Sequence, residues 1–83
     1  MRPYKGSIDF VLSNDIDLKI SKIDSIMSAR IEISSIRENE YSLLRVSGPT
    51  NLVPLKELEK YGKEFCKEKG LEYNKIIKQT SLY

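Results

Sequence analysis

The sequence predicts a small α+β protein. The expected architecture is an antiparallel sheet with two helices on one face, in the order β-α-β-β-α with an optional final strand. Three observations carry this. Ile8, Phe10 and Leu12 alternate with Ser7, Asp9 and Val11, the period of a strand. Residues 30–48 read as two short strands around a polar turn. Residues 52–69 carry an apolar stripe at helical spacing, with lysines on the other side.

Each element has its own signals. The first strand, Ser7 to Leu12, lies between Gly6 and the turn-forming Ser13-Asn14-Asp15. Residues 15–29 fit two periods. Ile16, Ile20, Ile23 and Met27 fall at helical spacing, and Asp15 and Asp17 suit the positive end of a helix. Ile16, Leu18 and Ile20 also alternate as a strand would, with Asn14-Asp15 as a hairpin turn. Helix is favoured, because its stripe runs three turns and the strand phase breaks after Ile20. The strand reading stays open.

Arg30 to Ile36 is the next strand. Ile36 is out of phase with Ile31 and Ile33, which predicts a bulge at Ser34-Ser35. Arg37 to Glu40 turns the chain, and Tyr41 to Val46 returns it. Thr50 or Asn51 is the expected cap of the long helix, with Pro54 in its first turn. Leu55, Leu58, Tyr61, Phe65 and Cys66 form its buried side, and Gly70 stops it. The tail from Leu71 reads as a final strand, which would make the order ferredoxin-like, or as a short helical extension.

Length and composition set the limits. Eighty-three residues make one domain, residues 1–83, whose core buries only about 60% of the unfolded chain's surface. Small domains often gain stability by pairing, so a homo- or hetero-oligomer is expected. With one cysteine there is no intrachain disulfide, and the N-terminus lacks an apolar leader stretch. A cytoplasmic protein without a membrane segment is the expectation. There is no histidine, which removes the commonest general base and metal ligand. No cofactor, metal site or catalytic constellation is expected, and the chain is read as not an enzyme.

Charge is uneven. The net charge is only +2, and the excess lies in residues 51–83, with seven lysines against five glutamates. Lys56, Lys60, Lys63 and Lys67 lie on one helical line and are candidate contacts to a nucleic-acid backbone, helped by Lys75 and Lys78. The competing explanation is a solvated face with interleaved glutamates. Tyr41 and Phe10 on neighbouring strands could stack bases, although no contiguous RNP-like motif is present. Gly62 costs about 1 kcal/mol relative to alanine in mid-helix. Close approach of another element, including one across a dimer interface, would explain it. Cys66, beside Phe65, reads as core filler. The Ser47–Asn51 turn could present backbone amides to an anion, but it lacks a phosphate-loop pattern, and Pro49 removes a donor.

Asn51-Leu52-x-x-Leu55-Lys56, opening the last helix, resembles a motif in the small dimerising subunit of the KEOPS tRNA-modification complex. That family has a β-α-β-β-α core and Asp-Leu-x-x-Leu-Arg at this place. Here asparagine replaces the aspartate and lysine the arginine, and the tail from Leu71 has no counterpart. The resemblance implies a non-catalytic scaffold that dimerises and helps hold tRNA. It carries over to Leu52, Leu55 and Lys56 only, with Gly62, Leu52 and Leu55 as interface candidates.

The leading expectation is therefore a non-catalytic binding or assembly subunit. It would dimerise or join a protein partner within a larger complex, which could be associated with tRNA or another nucleic acid. The alternatives are a direct nucleic-acid binder using the lysine-striped helix, and a small ferredoxin-like enzyme or metabolite-binding regulatory domain.

Overall fold

A computed structural model describes residues 4–13, 19–38 and 40–82. Five strands and one helix follow in the order β1 (Tyr4–Leu12), β2 (Ser21–Ile26), β3 (Ala29–Glu38), β4 (Tyr41–Pro49), α1 (Leu55–Lys69) and β5 (Tyr73–Leu82). The strands form one antiparallel sheet with spatial order β2-β3-β4-β1-β5. The expected pair of helices is thus corrected to one, and the ferredoxin-like alternative falls with it.

The error lies in residues 15–29. Residues 14–18 are outside the described part, but Ser21–Ile26 is a strand paired with β3. Of the expected helical stripe, Ile16 lies outside the described residues, and Ile20 and Ile23 fall on opposite sheet faces. Ile20 and Ile26 pack against the core, while Ile23 is 57% exposed on the other side. The serines and β-branched isoleucines lower helix propensity, and a neighbouring strand supplies the hydrogen bonds that an isolated helix would have to make alone. Ser35 extends this pairing beyond β2: Ile20 N–H donates to Ser35 Oγ at 2.9 Å, and Ser35 N–H donates to the Ile20 carbonyl at 2.9 Å.

The β3–β4 register runs unbroken from Glu32↔Ser47 to Glu38↔Tyr41, so Ser34-Ser35 does not bulge. Ile36 is out of phase because it belongs to the other face, opposite Leu43. The tail is a strand, paired with β1 and irregular at Val11/Leu12.

Helix α1 covers one face of the sheet, packing over β1 and β4. Its Leu58, Phe65 and Cys66 meet Ile8, Phe10, Ile31, Ile33, Leu44 and Val46 from the strands. Fully burying side chains of this size contributes about 1.5–3 kcal/mol each. Phe10, fully buried at the centre, also makes an edge contact with Tyr73, with ring centroids 5.0 Å apart.

The helix starts later than expected. Pro54 is the N-cap, with no side-chain cap, and neither Thr50 nor Asn51 fills that role. Its end is as expected: Gly70 adopts φ 69° and its N–H reaches the carbonyls of Cys66 and Lys67. Gly62 is explained inside the chain. A Cβ there would collide with the Phe10 ring and lie 3.1 Å from Val46 Cγ2. The missing side chain lets the helix backbone press onto the sheet.

Candidate functional site

Strand alternation decides which side chains leave the core. Along β1, Ile8 and Phe10 point under the helix, so Asp9 and Val11 point to the opposite face. Directly opposed residues share a face, which puts Arg45 with Asp9, Leu43 with Val11, Ile77 with Asp9 and Lys75 with Val11. No described helix lies on this side. Its β4, β1 and β5 residues surround a groove of about 630 Å³.

The floor of the groove is apolar, built from Val11, Leu43 and Ile77, with Tyr41 at the rim, 62% exposed. A half-buried ion pair crosses it. Arg45 Nε donates to Asp9 Oδ1 at 2.8 Å and Nη2 donates to Oδ2 at 3.0 Å. Asp9 is 3% exposed, and this two-point clasp satisfies both of its carboxylate oxygens. The clasp cancels both charges and leaves Lys75 as the groove's remaining cation. No described acid lies within ion-pair distance of Lys75. The volume falls within the usual range of ligand clefts, about 300–1,000 Å³.

The expected nucleic-acid residues lie on the other side of the molecule. Lys56, Lys60, Lys63 and Lys67 are all exposed on α1. At about 100° per residue they share an arc of about 60°, while Glu57, Glu64 and Glu68 occupy an arc of about 40° some 90° further round. The two signs are therefore segregated rather than mixed. The glutamate between core and lysines, Glu59, is bound by Lys78 of β5 at 3.4 Å, so Lys56 and Lys63, its neighbours one turn away, form the edge of the lysine line nearest β5. Lys78 shares that side, but Lys75 lies across the sheet in the groove. The proposed base-stacking pair is not formed: Phe10 is fully buried beneath the helix and Tyr41 is on the opposite face.

The interface candidates are scattered. Gly62 is buried in the chain's own core, Leu52 is 53% exposed in the connection before α1, and Leu55 is partly buried against the core. In the Ser47–Asn51 region, the amides of Leu52 and Val53 donate back to the Pro49 carbonyl at 3.1 and 2.9 Å. These two amides, which directly follow the turn, are therefore engaged within the chain. No group of three or more acidic or cysteine residues among the described ones could hold a metal.

Two further groups have shifted protonation. Tyr61 Oη donates to Asp24 Oδ2 at 2.8 Å. Partial burial, then this bond, push the Tyr61 phenol up to about 12, and the same bond leads in holding the Asp24 carboxyl below its ordinary range. Burial raises the Cys66 thiol, which keeps it protonated and unreactive.

The groove was not foreseen, yet it left a trace. Asp9 interrupts the apolar run Ile8–Leu12, and Arg45 interrupts Leu43–Val46. Opposite charges inside two apolar strands are the mark of a cross-strand pair.

No family model matches this chain, and neither the curated proteins nor the solved structures hold a significant match to it. The element order that supported the KEOPS resemblance is not the observed one, so that resemblance now rests on the Asn51–Lys56 motif alone. No described helix is long and apolar enough to cross a membrane.

Proposed function

We propose that this chain is a non-catalytic binding and assembly subunit, and that the grooved sheet face is where it docks a partner protein. The observation that carries this is the groove itself: an apolar floor, an exposed tyrosine at the rim, and one cation left over after the Asp9–Arg45 clasp. Charge selects the partner. The charged lining residues are Arg45, Lys75 and Asp9, which sum to +1. Two copies face to face would oppose like charges, so the favoured occupant is an acidic segment with apolar side chains.

Selection of displayed random peptides on the folded chain tests this. Acidic, apolar ligands should emerge, weakening about tenfold or more when Tyr41→Ala and Lys75→Glu are combined. They should be unaffected by Leu52→Ser on the other side. Ligands indifferent to the groove variant would overturn the reading. So would a dimer of the chain that dissociates on the same double substitution, because the occupant would then be a second copy.

A second reading is favoured by one observation. None of Lys56, Lys60, Lys63 and Lys67 makes an ion pair with a described residue, and their flank contains no acid other than the Lys78-bound Glu59. Such a line suits a phosphate backbone. With four contacts to duplex DNA, log K would fall with log salt at a slope of about −3.6. Titration with tRNA and duplex DNA at two salt concentrations tests it. A quadruple Lys→Ala variant that binds as tightly as the wild type would exclude it.

A further inference from the structure

The two edges of the sheet are unequal. β2 has six residues, whereas β5 has ten and pairs, among the described residues, with β1 alone. In an antiparallel ladder about every second residue turns its N–H and C=O away from its neighbour. β5 therefore presents a row of outward backbone groups along most of the sheet. Such an edge is a template for another strand unless something blocks it. No proline interrupts β5.

We propose that the outer edge of β5 receives an extended acidic segment of a partner protein as a sixth strand. This rests on the docking reading above and specifies its mode. The side chains of an added strand would alternate between the two sheet faces. On one face they would meet Ile77, Lys75 and the mouth of the groove. On the other they would lie beside Lys78 and below the edge of α1 that carries Lys56 and Lys63. The edge thus selects a pattern with acidic residues toward the helix and apolar residues toward the groove. Backbone hydrogen bonds would supply affinity and the alternating side chains specificity.

A second copy fits this edge poorly. Pairing β5 with β5 would bring two lysine flanks toward each other. Lys75 and Lys78 on the strand oppose self-pairing for the same reason, while still admitting an acidic strand.

The test uses synthetic peptides with blocked ends that alternate glutamate and valine, titrated against the intact chain at low salt. The parent peptide should bind and slow hydrogen exchange at alternate β5 amides. Replacing glutamate by lysine, or placing one proline at the centre, should each weaken binding about tenfold or more. The Lys56, Lys60, Lys63, Lys67→Gln variant, checked for folding by circular dichroism, should lose a similar factor.

Failure separates the two proposals. If the proline peptide binds as well as its parent and Tyr41→Ala weakens both, the groove docks ligands without strand addition, and only this inference is overturned. If the parent peptide does not bind, or binds without protecting β5, strand addition is likewise overturned, and the displayed-peptide selection decides the docking reading by itself. If an RNA oligonucleotide displaces the peptide at equal concentration, and does so only while the four lysines are present, the flank serves phosphates and the acidic-strand assignment fails.

Discussion

The two faces of this sheet use the same strands for different ends. Beneath the helix, Ile8, Phe10, Leu44 and Val46 are fully buried in an apolar contact that tolerates no side chain at Gly62. On the far side, the residues between them build an amphipathic surface around one half-buried ion pair. A single-residue step along β1 or β4 moves from core to candidate docking floor. The difference teaches that the fold is held chiefly from one side, leaving the other side's residues less constrained by core packing.

Substitution can break that comparison. Phe10→Ala should have the largest effect, about 3–5 kcal/mol, because it removes a fully buried ring and leaves a cavity under Gly62. A small domain has little more stability than that, so urea melts should find this variant largely unfolded. A loss below about 1 kcal/mol would show that the helix does not seat on β1.

Asp9→Ala should come next. It strips the guanidinium of Arg45 of its clasp. Removing one partner of a buried pair costs about 3–5 kcal/mol, and the partial exposure of Arg45 reduces this to about 1–3 kcal/mol. The double replacement Asp9→Val with Arg45→Leu should recover most of the loss in the same melts. If it does not, the pair is more than a neutralised patch on the far face.

Tyr61→Phe is expected to cost about 1 kcal/mol at neutral pH, by deleting the hydrogen bond to Asp24. Its pH signature is specific. The folded-state pKa of Tyr61 is raised from 10.0 to about 12, so its contribution is full below pH 10 and disappears as pH rises toward 12. The raised Cys66 thiol adds a loss of the same sign above its ordinary 9.0. The lowered Asp24 acts oppositely, losing its contribution as pH falls below 3.8. Stability profiles of wild type and Tyr61→Phe should therefore converge above pH 10 and separate at neutrality.

The smallest effect should be a gain. The β2–β3 turn places Met27 at φ 53° and Ser28 at φ 65°, between the paired Ile26 and Ala29. Two-residue hairpin turns of this kind favour Asn-Gly, since other side chains are strained at positive φ. Met27→Asn with Ser28→Gly should raise stability by about 1 kcal/mol, read as a higher urea midpoint. No gain would mean that the exposed turn relaxes freely in solution.

Much of the sheet was legible because its strands obey one period. β1, the β3–β4 hairpin and the helix all announced themselves through alternation or a single stripe. β2 did not, because Ile16, Ile20, Ile23 and Met27 stand four, three and four apart, a helical spacing, while the step of three from Ile20 to Ile23 also carries a strand from one sheet face to the other. Local pattern does not choose between them; hydrogen bonding to β3, contributed from elsewhere in the chain, does. The groove was hidden for a related reason. Its walls are alternate residues from β1, β4 and β5, brought together by a strand order that places β1 between β4 and β5. The lysine line and its angular separation from Glu57, Glu64 and Glu68 follow from the sequence at helical spacing, but which of its edges lies nearest β5 required the Glu59–Lys78 contact.

Cys66 turns the helix–sheet contact into a clock. Its thiol is 1% exposed and is the chain's single sulfhydryl. An alkylating reagent reaches it only in the moments when α1 lifts from β1 and β4. The rate of modification in native buffer, divided by that of the unfolded chain, measures how often that contact opens. Because the thiol sits on the covered face, a ligand on the groove side can slow this clock only by tightening the whole sheet.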